Sequence, residues 1–240
     1  MTYKPQEFWD QRLSEHFDLR GTGETGLSLA YNRACYALRR EVLDRALADA
    51  AFDPRGRSVL DVGPGSGFWV EYYLGRGAQV TGVDIAPTAV QRLAQKYPQA
   101  RFTHSDVSAI ALTERYDVVN AFDVLYHITD EAKWEVAVRH LAQAVAPGGL
   151  LLITDAFSTL PRVAEHNVMR PLARYESIIA AAGLQRESLR PTHHLLNAEL
   201  GALRFLNRAP ALLLAIDRVM LAMGAGNDER HNRLLVSRRS

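Results

Sequence analysis

The stretch Val59-Leu60-Asp61-Val62-Gly63-Pro64-Gly65-Ser66-Gly67-Phe68-Trp69-Val70 constrains this chain more than any other. An apolar run bounded by glycines predicts a short buried strand, Ser58 to Val62, and a helix beginning near Ser66. Glycines at 63, 65 and 67 leave the intervening loop without Cβ atoms, so a ligand can lie against its backbone N–H groups. The helix N-terminus behind it adds unpaired donors and the positive end of a dipole. An anionic or acceptor-rich ligand is therefore expected. The spacing is G-x-G-x-G, whereas a dinucleotide fingerprint reads G-x-G-x-x-G, and Phe68 stands where its third glycine would be. Asp61, inside the end of the strand, would repel a pyrophosphate and would suit a ligand bearing an ammonium group.

Two further strands end in acids. Gln79-Val80-Thr81-Gly82-Val83-Asp84 places a carboxylate about 20 residues beyond the first strand, the spacing at which α/β folds set an acid on ribose hydroxyls. Phe102-Thr103-His104-Ser105-Asp106-Val107 puts a third acid after the third strand. In a parallel sheet, ligands lie across the carboxyl ends of the strands. Asp61, Asp84 and Asp106 thus come to one edge, and that edge fits an adenosine with a positively charged tail.

Taken in order, VLDVGPGSG, VTGVDIA, HSDVS and PGGLLLITD resemble the motifs of class I S-adenosylmethionine-dependent methyltransferases, over roughly Arg57 to Gly183. The resemblance implies S-adenosylmethionine as cofactor. It implies that Asp84 binds both ribose hydroxyls, that Asp106 accepts from the adenine amino group, and that Val107 gives a backbone N–H to the ring. Gly63, Gly65 and Gly67 would hold the methionine end with Asp61 nearby, and Ile85 and Phe122 complete the implied cofactor set.

The alternation of elements agrees. Strands at 58–62, 78–83, 100–104, 116–121, 149–154 and 184–191 are separated by helices at 67–75, 87–97, 130–145 and 171–182, with Pro147-Gly148-Gly149 expected to end the third of these. This predicts an α/β fold, a doubly wound, mostly parallel Rossmann-like sheet with helices on both faces. A last strand, His231 to Arg238, would be antiparallel. Residues 57–240 form the methyltransferase domain. Residues 1–56 form an N-terminal helical cap, with helices at 5–17 and 27–50 and a glycine-rich loop between them. Trp9, Phe17, Tyr31 and Tyr36 would line the underside of this lid or pack against the sheet. Residues 196–226 form a C-terminal helical insertion, split by Pro210. Its leucines would make it a lid over the acceptor, with a homodimer contact, sheet-edge packing and contact with a membrane surface as competing readings.

At 240 residues, 48% hydrophobic and 23% charged, with a formal net charge of +1, the chain has no overall electrostatic footprint for nucleic acid. The arginines crowded near the C-terminus read as solvated. The single cysteine, Cys35, forms no intramolecular disulfide, and with no apolar signal segment at Met1 to Glu7 the expected location is cytoplasmic. The greasy stretch Ala209 to Met223 is too short to span a bilayer, so no stable membrane insertion is expected.

Methyl transfer from a sulfonium needs positioning, plus a base where the acceptor carries a proton. The segment Asn120-Ala121-Phe122-Asp123-Val124-Leu125-Tyr126-His127 follows the fourth strand, which in the family passes beside the methyl group. It lacks the Asn/Asp-Pro-Pro-aromatic motif of enzymes that methylate nucleic-acid bases. His127 is the candidate base because an ordinary histidine titrates near neutrality, with Tyr126 and Asp123 as orienting groups; a purely structural His127 is the competing role. Tyr31, Tyr36, His166 and Arg170 are the candidate acceptor contacts. No metal is assigned, although Asp155 keeps a metal-assisted reading open. The expected function is methylation of a small aromatic or apolar acceptor, most simply at oxygen in secondary metabolism. The alternatives are N- or C-methylation of a sugar, quinone or lipid precursor, and binding of the cofactor without transfer.

Overall fold

The computed structural model describes residues 3–110, 113–159, 164–197 and 200–240. Three helices precede the sheet: Pro5–Glu15 (α1), Leu19–Thr22 (α2) and Leu29–Asp49 (α3). Pro5 opens α1 in the first turn, where a missing N–H costs nothing. The Ser28 hydroxyl caps α3 by accepting from the Tyr31 N–H at 3.1 Å. The short helix α2 falls in the stretch that reads as a plain loop. Asp18 starts it by accepting from the Arg20 N–H at 2.8 Å.

The sheet then builds by alternation: Ser58–Val62 (β1), Phe68–Leu74 (α4), Gln79–Asp84 (β2), Pro87–Lys96 (α5), Arg101–His104 (β3) and Tyr116–Phe122 (β4). Glu131–Ala144 (α6), Val145–Asp155 (β5), Leu172–Ala181 (α7) and Leu184–Pro191 (β6) follow. Gly201–Arg208 is a 3-10 helix, Pro210–Ala222 is α8, and Arg233–Arg239 (β7) closes the chain. The strand order is β3-β2-β1-β4-β5-β7-β6, with β7 antiparallel to both of its neighbours.

Each central strand feeds two cores, because alternate side chains point to opposite faces. Leu60, Val62, Val119, Ala121, Leu151 and Ile153 join a cluster with Trp134 of α6 and Tyr175 of α7. Val59, Val118, Leu150 and Leu152 join a second cluster with Leu43 of α3 and Val70 of α4. Burial on both faces explains why these strands read as continuous apolar runs. Strand order reverses between β1 and β4, which places a topological switch point at their carboxyl ends.

One boundary departs from the reading of the sequence. Helix α6 ends at Ala144, and Val145 is already extended and paired with Tyr116. Pro147-Gly148-Gly149 therefore does not stop the helix; it sits inside an irregularity of β5, after which pairing resumes at Val118 and Leu150. Gly148 takes φ +74, and a Cβ on Gly149 would come within 2.8 Å of the Asp117 carbonyl oxygen.

The segment 196–226 packs on α3. Leu196 and Leu213 form a cluster with Tyr31, Ala34, Cys35 and Leu38, flanked by Leu200, Leu206, Leu214 and Leu221. Asp217, buried on α8, accepts from the N–H groups of His194, Leu195 and Leu196 at 2.7–3.0 Å. Among the described residues, no helix is long and apolar enough to cross a membrane.

Candidate active site

At the switch point lies a cavity of about 330 Å³, in the range of small-molecule sites, about 300–1,000 Å³. Its floor is the loop after β1. The Gly63 N–H donates to the Val83 carbonyl at 2.8 Å, and Gly63, Gly65 and Gly67 all have positive φ. A Cβ on Gly63 would fall 2.5 Å from Val124 Cγ2, and one on Gly65 only 2.3 Å from Thr22 Cγ2. Only glycine fits this cradle. Gly63 and Gly65 line the cavity, whereas Gly67 turns inward against Leu93 and caps α4.

Gly65→Ala is expected to weaken S-adenosylmethionine binding about tenfold. A Cβ-bearing residue in the left-handed region costs about 1–2 kcal/mol, and the displaced Thr22 also accepts from the Tyr36 hydroxyl at 2.8 Å. Titration calorimetry checks this; unchanged affinity would show that the cofactor does not lie on the loop.

Two strand-end acids face the cavity. Asp84 accepts from the Gly65 N–H at 3.0 Å and the Ala86 N–H at 2.8 Å, and its burial pushes its pKa up to about 6. Asp106 lines the cavity beside Ile85 and Val107. Burial tends to raise its carboxyl, but the Ser108 hydroxyl and N–H, helped by Lys133 at 3.4 Å, hold it below the usual range. Asp61 lies behind the loop, not on the cavity wall. It accepts from the Asn120 side-chain amide, while its Oδ2 is buried with no hydrogen-bond partner among the described residues. Burial raises its pKa to about 7. A glycine cradle, an orphaned buried oxygen and two cavity-facing acids match the acceptor-rich, cationic character of S-adenosylmethionine.

Aromatic rings form a further part of the lining. Trp9, Tyr36, Phe68, Trp69 and Phe122 supply them, and the indole of Trp9 meets the His127 ring edge-on at 4.7 Å. Residues 125–127 form a 3-10 turn that brings His127 to this lining. His127 Nδ1 lies 3.0 Å from the His166 carbonyl oxygen, which can only accept. Nδ1 therefore carries the proton, and Nε2 keeps its lone pair. Burial lowers the pKa of this imidazole to about 4. The neutral-pH titration expected from the sequence is thus absent, and His127 is uncharged at pH 7.

Asp123 also lines the cavity and takes φ +59, a conformation that aspartate adopts more readily than most residues. Three groups hold its carboxylate there: the Thr154 hydroxyl at 3.0 Å, the Asn232 amide at 2.9 Å, and Arg39 of α3 at 2.6 Å. Arg39 and Lys133 carry no sequence signal for these roles, because each pairs with a residue distant in the chain.

The remaining candidates lie elsewhere. Tyr31 is buried under the 196–226 segment, and its hydroxyl accepts from the Asn197 N–H at 2.7 Å. Arg170 packs over the Trp134 ring and donates to Glu131, Val168 and Ile128, so it braces the segment after β4 and does not reach the cavity. His166 stacks between Phe8 and His127 without lining the cavity. Tyr126 is also off the cavity wall, its phenol pushed well above the usual range by burial. Asp155 receives the Tyr175 hydroxyl and the Phe157 N–H. No described residue of 196–226 lines the cavity; instead of the expected acceptor lid, Leu196, Leu213 and their leucine neighbours pack as a layer on α3. Among the described residues, no group of His, Cys, Asp or Glu is arranged to hold a metal ion.

This fold and cavity define a class I S-adenosylmethionine-dependent methyltransferase. The family model described as a methyltransferase domain matches residues 31–203, and the chain belongs to that family. Among curated proteins it is similar to the ubiquinone biosynthesis O-methyltransferase of Pseudomonas fluorescens, 34% identical over 144 residues, covering 58% of this chain and 56% of that one. The chain spans about half the length of the curated relatives it matches. Among solved structures it is similar to magnesium protoporphyrin IX methyltransferase of Synechocystis with bound S-adenosylhomocysteine, with a TM-score of 0.64 and 19% identity over 98% of both chains. The N-methyltransferase NodS of Bradyrhizobium japonicum, in complex with the same product, gives a TM-score of 0.61 and 16% identity over 97% of this chain and 98% of that one. At these identities the structural likeness speaks for the fold.

Proposed function

We propose that the protein transfers a methyl group from S-adenosylmethionine to a phenolic oxygen of a small aromatic acceptor of the quinone-precursor kind. One observation carries this reading: a neutral histidine with a free Nε2 stands on an aromatic wall continuous with the glycine cradle. The names of the curated relatives support oxygen as the acceptor atom and a quinone-like ring as its carrier.

Bound S-adenosylmethionine supplies an electrophilic sulfonium methyl group. Asp84 and Asp106 bind its adenosine, with Ile85, Val107 and Phe122 around it, and Gly63 and Gly65 carry its methionine end near Asp61. Trp9 and Tyr36 flank the acceptor ring and exclude water. His127 Nε2 accepts a hydrogen bond from the acceptor hydroxyl. A base of pKa about 4 is too weak to remove a phenolic proton beforehand. The gap to a phenol of pKa ~10 is about six units, or ~8 kcal/mol. The proton therefore moves to His127 with or after methyl transfer, when the oxygen has become acidic. Residues 3–56 act as the cap that closes this chamber, tied down by the Arg39–Asp123 pair and the Thr22–Ser66 contact at 3.3 Å.

The test is incubation with labelled S-adenosylmethionine and a panel of catechols, hydroquinones, amines and sugars. Label is expected in an aryl methyl ether by mass spectrometry. Transfer confined to amines or carbon would overturn the assignment to oxygen, and cofactor binding with no transfer to any class would overturn catalysis.

A further inference from the structure

Helix α8 carries only two charged side chains, Asp217, which is buried, and Arg218, which pairs with Glu41 of α3. Its inner face packs on α3, as described, so its outer face should be polar if only water met it. Instead Ala211, Leu212, Ala215, Val219, Ala222 and Met223 form an exposed stripe at helical spacing. Val219 is 60% exposed and Met223 82%. The neighbouring 3-10 helix continues the surface with Leu203 and Phe205, the latter 59% exposed. Contiguous apolar surface of this kind, edged by charge, marks an interaction site.

The charge on it has one sign. Arg204 stands between Leu203 and Phe205, with Arg208 one helical turn further on; both are exposed and neither has an ion-pair partner among the described residues. Arg218 is satisfied by Glu41 of α3. Between Gly201 and Ala225 the only acid is Asp217, and it is buried. A second copy of this chain is a poor occupant. A two-fold contact sets a patch against itself, which would cover Arg204 and Arg208 with a surface that offers no exposed acid to meet them. An anionic lipid surface supplies both missing complements, phosphates for the guanidinium groups and an acyl boundary for the side chains.

We propose that α8 and the 3-10 helix seat this protein on an anionic phospholipid bilayer. Phe205, Leu212, Val219 and Met223 enter the headgroup boundary, and Arg204 and Arg208 lie against lipid phosphates. The contact is peripheral. It does not depend on which acceptor the cavity takes.

Sedimentation of the full chain with vesicles tests it. The protein is expected to pellet with phosphatidylcholine vesicles containing phosphatidylglycerol and to stay in solution with pure phosphatidylcholine. Arg204→Ala with Arg208→Ala should weaken the binding roughly thirtyfold, the factor that ~1 kcal/mol per basic residue gives for two. Val219→Ser with Met223→Ser should weaken it at least as much. These residues are exposed and remote from the cavity, so unchanged melting temperature and S-adenosylmethionine affinity verify each fold. Equal pelleting with both vesicles, no pelleting with either, or full binding by the folded variants overturns the proposal. So does light scattering that shows a dimer which Val219→Ser with Met223→Ser converts to a monomer.

Discussion

Asp84→Ala is expected to weaken S-adenosylmethionine binding at least a hundredfold. In the proposed pose one carboxylate serves two ribose hydroxyls, and hydrogen bonds to charged groups are worth about 1.5–3 kcal/mol each. Two such bonds correspond to a factor of a hundred or more. The same oxygens also hold the Gly65 and Ala86 N–H groups, so the cradle loses its anchor along with the ligand contact. Asp84→Asn, which keeps the shape and one acceptor oxygen, should lose less. Calorimetry on both folded variants reads the difference, and wild-type affinity in the alanine variant would remove Asp84 from the site.

The second large effect is on turnover. His127→Ala should lower kcat for a phenolic acceptor by about 10²–10⁴, the usual contribution of a positioned general base, with S-adenosylmethionine affinity within a few-fold of wild type. The pH profile distinguishes catalysis from packing. His127 is neutral above a pKa of about 4, so its limb in kcat should stay flat from neutrality to about pH 5 and fall only as the pH drops through 4. A histidine titrating at its ordinary value would instead switch off through about 6.5. Unchanged kcat in the variant would leave His127 a structural residue beneath Trp9 and His166.

Much of this architecture was legible in the chain. Strands β1, β4 and β5 announce themselves because both of their faces are buried, which forces unbroken apolar runs. The glycine loop is legible because its geometry tolerates no Cβ, Asp84 because of its spacing from the first strand, and Asp106 because its motif follows the third. Pro147-Gly148-Gly149 misled because those residues stop helices and interrupt strands equally well; the pairing of Val145 with Tyr116 decides between the two, and it is a tertiary fact. The same holds for Arg39 with Asp123, 84 positions apart, and for Tyr31, whose aromatic ring suited an acceptor wall but packs under the 196–226 segment. The pKa of His127 was out of reach too, since burial by Trp9 and His166 sets it.

Asp61 has a thermodynamic consequence of its own. Burial pushes its carboxyl up to about 7, against 3.8 for an ordinary aspartate. A raised pKa favours the folded state below 3.8, and that contribution is lost as the pH rises through 7. A cation placed near it draws the pKa back down, so capture of the donor should expel a proton to solvent around neutrality. Donor affinity would then climb as pH rises through 7, and that of the demethylated product, which lacks the sulfonium charge, would climb less. Calorimetry of both ligands at pH 6 and pH 8 measures the gap, and parallel pH dependence would dismiss it. If the gap is there, alkaline conditions favour loading over product retention, and one buried oxygen with no partner among the described residues makes the exchange of spent for fresh donor responsive to acidity.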